Sequence, residues 1–366
     1  MRIISDMPDR PRTRASEGGL AVRRDILTRV LLLTVLLLAS ACQTTGSGAN
    51  EPDADVPMRR LAAPRGSFAG VAWLPDGRLY FGWAVEAGGD PEIWRIPAAG
   101  GAAQRLWLPN QPGCRRTRYL RVATLPDGRL GLTRLCSKGP PPTGDTGAVD
   151  PRTSTYLPLA PLGDLNPSGV TWRKNLRSGF LSRTSGSCAG IAALTHDGPQ
   201  RWPTPAAMDG RTRELDGYVF AAGDVYCAGQ GRADLPLLSP YETALYFVAS
   251  PDSVGVDEAI RREETPWRLY RWAVSGDRPT GQPEELTGDL GKPFGLAISP
   301  DGRTLAFAGQ HDRKYGLWRV DSATGAVRRL AGGKFVSASF SPDGRQLAAV
   351  FQQDADHGFL EVLDLP

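Results

Sequence analysis

One hairpin, repeated along the chain, constrains the fold more than any other feature. Its clearest copy is residues 294–309, FGLAISPDGRTLAFAG. The first strand alternates Phe294, Leu296 and Ile298, and the second places Leu305 and Phe307 on one face. Between them, Ser299-Pro300-Asp301-Gly302 is turn chemistry with a mechanism. Proline pre-sets φ, aspartate bonds its own backbone, and glycine accepts the left-handed conformation that closes the hairpin. Residues 335–351, 68–84 and 120–135 repeat the pattern, while residues 169–184 and 235–250 keep the strands without the Asp-Gly. The turns are spaced roughly 42 to 66 residues apart, the period of a repeat architecture with loop insertions.

A further hairpin follows the better-preserved copies: residues 92–108, 268–288 and 316–332 each read as strand, glycine-containing turn, strand. Four strands per unit is the composition of a propeller blade. The sequence therefore predicts an all-β, six-bladed β-propeller of four-stranded blades spanning residues 58–366. The chain ends on one strand, FLEVLDL at 359–365, and MRRLA at 58–62 matches RRLA at 328–331. The N-terminal strand is expected to complete the last blade and close the ring, leaving only short protected edges.

The hairpins at residues 299–307 and 341–350 resemble the SPDG-[RK] repeats of TolB-type, WD40-like β-propellers. The resemblance extends as a pattern over nearly all of residues 58–366, with the third and fourth copies departing from it. It implies a fold and no single activity. The family includes periplasmic partner-binding proteins, non-catalytic propellers fused to hydrolases, and a few lyases.

Residues 1–41 read as a lipoprotein signal peptide. Arg23, Arg24 and Arg29 precede an apolar run of about ten residues, too short to span a bilayer, and Ala39-Ser40-Ala41-Cys42 follows. Cys42 resembles the acylated cysteine of a bacterial lipobox. Arg23-Arg24 resembles a twin-arginine export motif, with the general secretory route an open alternative, and Val22 is a candidate start. Residues 42–57, poor in apolar residues, form a flexible tether. Glutamine at position 43 favours the outer membrane in a two-membrane host, by resemblance to sorted lipoproteins.

Removing residues 1–41 leaves 36 basic against 35 acidic residues, a net charge of +1. That balance argues against nucleic acid as a partner. Four cysteines remain besides Cys42, an even number suited to an oxidising compartment. Four allow three connectivities; the preferred one joins Cys114 to Cys136, which flank one hairpin, and Cys188 to Cys227 by elimination. No C-x-x-C occurs and no histidine pair lies at ligand spacing, so no metal is expected.

Catalytic motifs are missing as well: there is no G-x-S-x-G, H-E-x-x-H or phosphate loop. His196, His311 and His357 read as solvated loop residues. Trp94, Tyr270 and Trp318 occupy one repeat position, each followed by an arginine, and read as packing between blades with the arginine stems laid over it. Arg115, Arg116, Arg118 and Arg121 around Tyr119 form the densest positive patch, a candidate surface for an acidic partner. Residues 137–150, 204–232 and 251–266 break the repeat and are candidate contact loops. The functional expectation is a monomeric, lipid-anchored extracytoplasmic binding module without a cofactor. Its partner would be another envelope protein, or a peptide or glycan. The alternative is a polysaccharide lyase or glycoside hydrolase using carboxylates that face the channel.

Overall fold

The computed structural model describes residues 55–61, 66–85, 89–138, 144–163, 167, 169–183, 190–199, 212–215, 218–221, 232–250, 267–276, 278–354 and 357–366. The signal peptide, Cys42, most of the tether, Cys188, Cys227 and residues 251–266 lie outside them.

Every regular element among the described residues is a strand. β1 (Met58–Arg60) is followed by a sheet of β2 (Ser67–Trp73), β3 (Arg78–Ala84), β4 (Glu92–Pro97) and β5 (Gln104–Leu106). The next sheet holds β6 (Arg116–Thr124), β7 (Leu130–Lys138), β8 (Gly144–Asp150) and β9 (Thr155–Gly163). A third holds β10 (Val170–Trp172), β11 (Ser178–Arg183), β12 (Gly190–Thr195) and β13 (Gly198–Pro199), and β14 (Thr212–Leu215) pairs with β15 (Tyr218–Ala221). One eight-stranded sheet then runs through β16 (Arg232–Leu238), β17 (Ala244–Ser250), β18 (Trp267–Ser275), β19 (Arg278–Pro279), β20 (Glu284–Ile298), β21 (Thr304–His311), β22 (Lys314–Asp321) and β23 (Val327–Gly332). The last sheet joins β24 (Phe335–Phe340), β25 (Gln346–Gln352) and β26 (Gly358–Asp364) to β1.

The fold is an all-β propeller, with one correction to the expected blade count. Four separate four-stranded sheets are present rather than six, because the fourth and fifth hairpins run into a single sheet. The cause is β20, whose 15 residues pair with β18 at one end and β21 at the other. Leu290 is the pivot, opposite both Trp267 and His311. A second correction concerns residues 137–150, expected to break the repeat. Residues 144–150 are β8, a third strand in regular antiparallel pairing with β7 and in antiparallel pairing with β9 interrupted by two register shifts.

The turns behave as their chemistry dictates. Gly302 sits at φ 71° and donates its N–H to the Ser299 carbonyl at 2.9 Å, while Asp301 Oδ1 accepts from Ser299 Oγ and the Arg303 N–H. Those bonds, the serine's first, hold the Asp301 carboxyl below its ordinary pKa. The degenerate copies keep the same geometry with other residues. Leu176 at φ 53° and Glu242 at φ 59° stand where the glycine would be, and each donates its N–H three residues back, to Arg173 and Ser239.

Apolar packing lies between consecutive hairpins. Phe68, Phe81 and Ile96 of the first pack with Val350 and Leu360 of the last, and Phe180 of the third with Leu245 and Phe247 of the fourth. Each fully buried phenylalanine contributes about 1.5–3 kcal/mol, so these layers carry the fold. Inner-strand edges are satisfied by hydroxyls of the neighbouring sheet. Ser339 Oγ accepts from the Trp73 N–H at 2.9 Å, Thr124 Oγ1 donates to the Trp73 carbonyl at 3.0 Å, and Thr171 Oγ1 accepts from the Leu238 N–H at 3.1 Å.

Candidate functional site

Strands β2, β6, β10, β16, β20 and β24 contribute the wall of a cavity of about 610 Å³. One mouth is rimmed by the turn prolines Pro75, Pro126, Pro240, Pro300 and Pro342, with Lys174 taking the equivalent place in the third copy. Among the described residues the charged members of the lining are Arg121, Lys174 and Glu242. Glu242 is held: its carboxylate accepts from the Lys174 N–H and, at 3.4 Å, from Arg173 Nη1. The two facing acids that a channel-based lyase or hydrolase would use are not among these lining residues.

The predicted positive patch is rearranged. Tyr119 is buried, packed with Tyr80, Leu130 and Leu132, and burial raises its phenol pKa. It therefore cannot be the centre of an exposed cluster: its side chain follows the strand alternation inward. Arg116 and Arg118 both pair with Asp90, Arg118 Nε at 2.7 Å, so part of their charge is answered within the chain. Arg115 is exposed, and Arg121 lines the cavity.

Cys114 and Cys136 are disulfide-bonded, with Cα atoms 5.6 Å apart. The bridge ties the loop before β6 to the buried end of β7. Reducing it is expected to cost about 3 kcal/mol, the chain-entropy value for a loop of this length, seen as a lower urea midpoint in dithiothreitol.

The histidines do not assemble a site. His196 lies in an exposed turn beside Asp197, His357 Nδ1 is 2.7 Å from Asp354, and His311 packs at a tilt against Trp318, where burial lowers its pKa. Of the third-strand aromatics, Tyr270 shares a core cluster with Phe180 of the preceding sheet, the between-unit packing expected, while the ring contacts lie within single sheets. Tyr270 is stacked on Phe247, Trp83 meets Trp94 edge-on, and Trp318 Nε1 donates to the Gly309 carbonyl. The arginines that follow two of them reach the next unit: Arg95 Nη1 donates to the Pro151 carbonyl at 3.3 Å and Arg271 Nη1 to the Ser322 carbonyl at 3.1 Å.

A buried polar cluster joins β7, β8 and β9 without any sequence motif to mark it. Arg134 forms a two-pronged pair with Asp145, Nε to Oδ1 at 2.7 Å and Nη2 to Oδ2 at 3.0 Å. Tyr156 donates its hydroxyl to Asp145 Oδ1 at 2.7 Å, Gln111 Nε2 donates to Oδ2 at 3.4 Å, and the guanidinium lies 3.5 Å from the Tyr156 ring centroid. Burial is the largest single influence on Arg134 and opposes its charge, yet the bonds to Asp145 together with the Asp145, Tyr156 and Tyr119 electrostatics hold its pKa above the ordinary value. Burial, and then the Asp145 carboxylate, raise the Tyr156 phenol. Among the described residues no three His, Cys, Asp or Glu side chains gather to hold a metal, and no helix is long and apolar enough to cross a membrane.

No protein-family model and no curated protein matches this sequence. Solved structures do match in shape. A putative TolB from Agrobacterium tumefaciens is 16% identical, with a TM-score of 0.51 over 87% of this chain and 100% of that one. An oligogalacturonate lyase in complex with manganese is 14% identical, with a TM-score of 0.51 over 86% of this chain and 95% of that one. TolB from Acinetobacter baumannii is 16% identical with a TM-score of 0.49; the match takes in 82% of this chain and 63% of that one, so this chain spans less than two thirds of its length. The fold is thus a TolB-like β-propeller.

Proposed function

We propose that this chain is a lipid-anchored, extracytoplasmic β-propeller that binds another cell-envelope protein and catalyses no reaction. The observation that carries the reading is the channel lining. Among the described residues it offers one carboxylate, Glu242, already engaged by Arg173 and the Lys174 N–H, where glycosidic cleavage by an acid pair needs two. The exposed Arg115, beside Arg116 and Arg118, is the proposed contact for an acidic partner surface. β1 closes the ring against β26, Cys188 pairs with Cys227, and residues 1–41 and Cys42 supply export and the lipid.

Expression of the full-length protein in a two-membrane bacterium, with Cys42→Ser beside it, tests the anchor and the chemistry together. The unaltered protein is expected in the membrane fraction, the variant in the soluble one, and neither should generate unsaturated products from polygalacturonate. A membrane-bound Cys42→Ser protein would contradict the lipid anchor, and rising ultraviolet absorbance from unsaturated uronates would contradict the non-catalytic role.

A further inference from the structure

We propose that the central cavity binds a small organic monocarboxylate with an apolar body, its anionic end held by Lys174 at the proline-rimmed mouth. This goes beyond the partner-binding reading and stands without it. The repeat itself shows where the cavity is specialised. Five of the six turns place proline at the second turn position, and only the third places lysine, Lys174. The adjoining fourth turn is the one that replaces glycine with a charged residue, Glu242.

These substitutions work together. Glu242 reaches across to the third turn and is consumed there by Arg173 and by the backbone of Lys174. That leaves the Lys174 ammonium, exposed and without an ion pair among the described residues, as the charge the mouth presents to an incoming ligand. Arg121 adds a second cation to the wall, while among the described residues Glu242 is the one carboxylate of the lining and is already countered. Below the mouth the lining is mainly apolar, with Val122, Leu237, Leu296 and Val336, and the hydroxyls that share it on Thr124, Thr171, Ser337 and Ser339 are already hydrogen-bonded to neighbouring strands. At about 610 Å³ the space falls within the range of small-molecule sites. An apolar chamber entered past a cation complements a molecule with an apolar body and one negative end.

Octanoate is the probe, with octan-1-ol and octylammonium as controls that share its chain without its charge. Trp73 and Trp172 line the cavity and report occupancy through tryptophan fluorescence. The full chain is expected to give a saturable change with octanoate and neither control, weakening as salt is added. Lys174→Ala should raise the octanoate Kd about fivefold with an unchanged melting temperature, and Lys174→Arg should restore it. Absence of saturation below about 10 mM, an equal response to octan-1-ol, preference for octylammonium, or an unchanged Kd in Lys174→Ala would each overturn the proposal.

Discussion

Replacing Asp145 with alanine should destabilise the protein by about 3–5 kcal/mol, although Asp145 is far from any recognisable motif. The carboxylate receives both prongs of Arg134, the Tyr156 hydroxyl and the Gln111 amide. Arg134 itself is 3% exposed. Removing Asp145 strands a guanidinium between the first and second sheets where water cannot replace its partner. The cost is therefore that of an uncompensated buried charge and exceeds the net worth of the pair. The double variant Arg134→Met, Asp145→Leu should recover most of the loss, because two apolar residues leave no charge to solvate. Tyr156→Phe should cost only about 1–2 kcal/mol. Urea unfolding of the four proteins checks the order; a loss under about 1 kcal/mol for Asp145→Ala would mean that solvent reaches the pair.

The second large effect is expected at the first described strand. Truncation through Leu61 should cost about 5 kcal/mol or more, the sum of two buried aliphatic side chains and one ion pair. Val56 and Leu61 are 8% and 4% exposed, and each packs in a different core layer. Arg60 Nε pairs with Glu361 at 2.7 Å, and Glu361 is 1% exposed on β26. The backbone is committed as well: Asp55 donates to the Leu330 carbonyl and Leu61 to the Leu360 carbonyl, flanking the β1–β26 ladder. Arg60→Ala alone should cost about 2–3 kcal/mol, discounted because the arginine is 38% exposed. Glu361→Gln in that background should recover part of it. Thermal melts that barely move on truncation would show that β1 is an accessory strand and would remove the support for ring closure.

The hairpins were legible because their signal is local. In Ser299-Pro300-Asp301-Gly302 and Ser341-Pro342-Asp343-Gly344, the hydrogen bonds that close the turn lie within about five residues. The Met58–Arg60 strand was legible because its repeat partner survives at residues 328–331. The merging of two hairpins along β20 was not, since it depends on residues 287–293 continuing in register through two bulges, which no turn or alternation announces. β8 was hidden for a different reason. Its glycines make room for other groups: a Cβ on Gly147 would lie 2.5 Å from the Tyr156 ring. Its first aspartate, Asp145, is an interior ion, so GDTGAVD reads as a loop although it is a central strand. Tyr119 was misplaced because a run of arginines on one strand looks like one patch, whereas alternation sends its members to opposite faces. At the cavity the prolines were visible as turn residues, and their convergence on one mouth with Lys174 emerges only from the arrangement of the inner strands around it.

The central claim is that this propeller works by holding a partner, and the most direct test is purification of the full-length protein from its native cells with identification of what accompanies it. The account predicts a stoichiometric cell-envelope protein, lost in an Arg115→Glu variant whose melting temperature is unchanged. Recovery of the propeller alone, or a partner retained equally by Arg115→Glu, would contradict it.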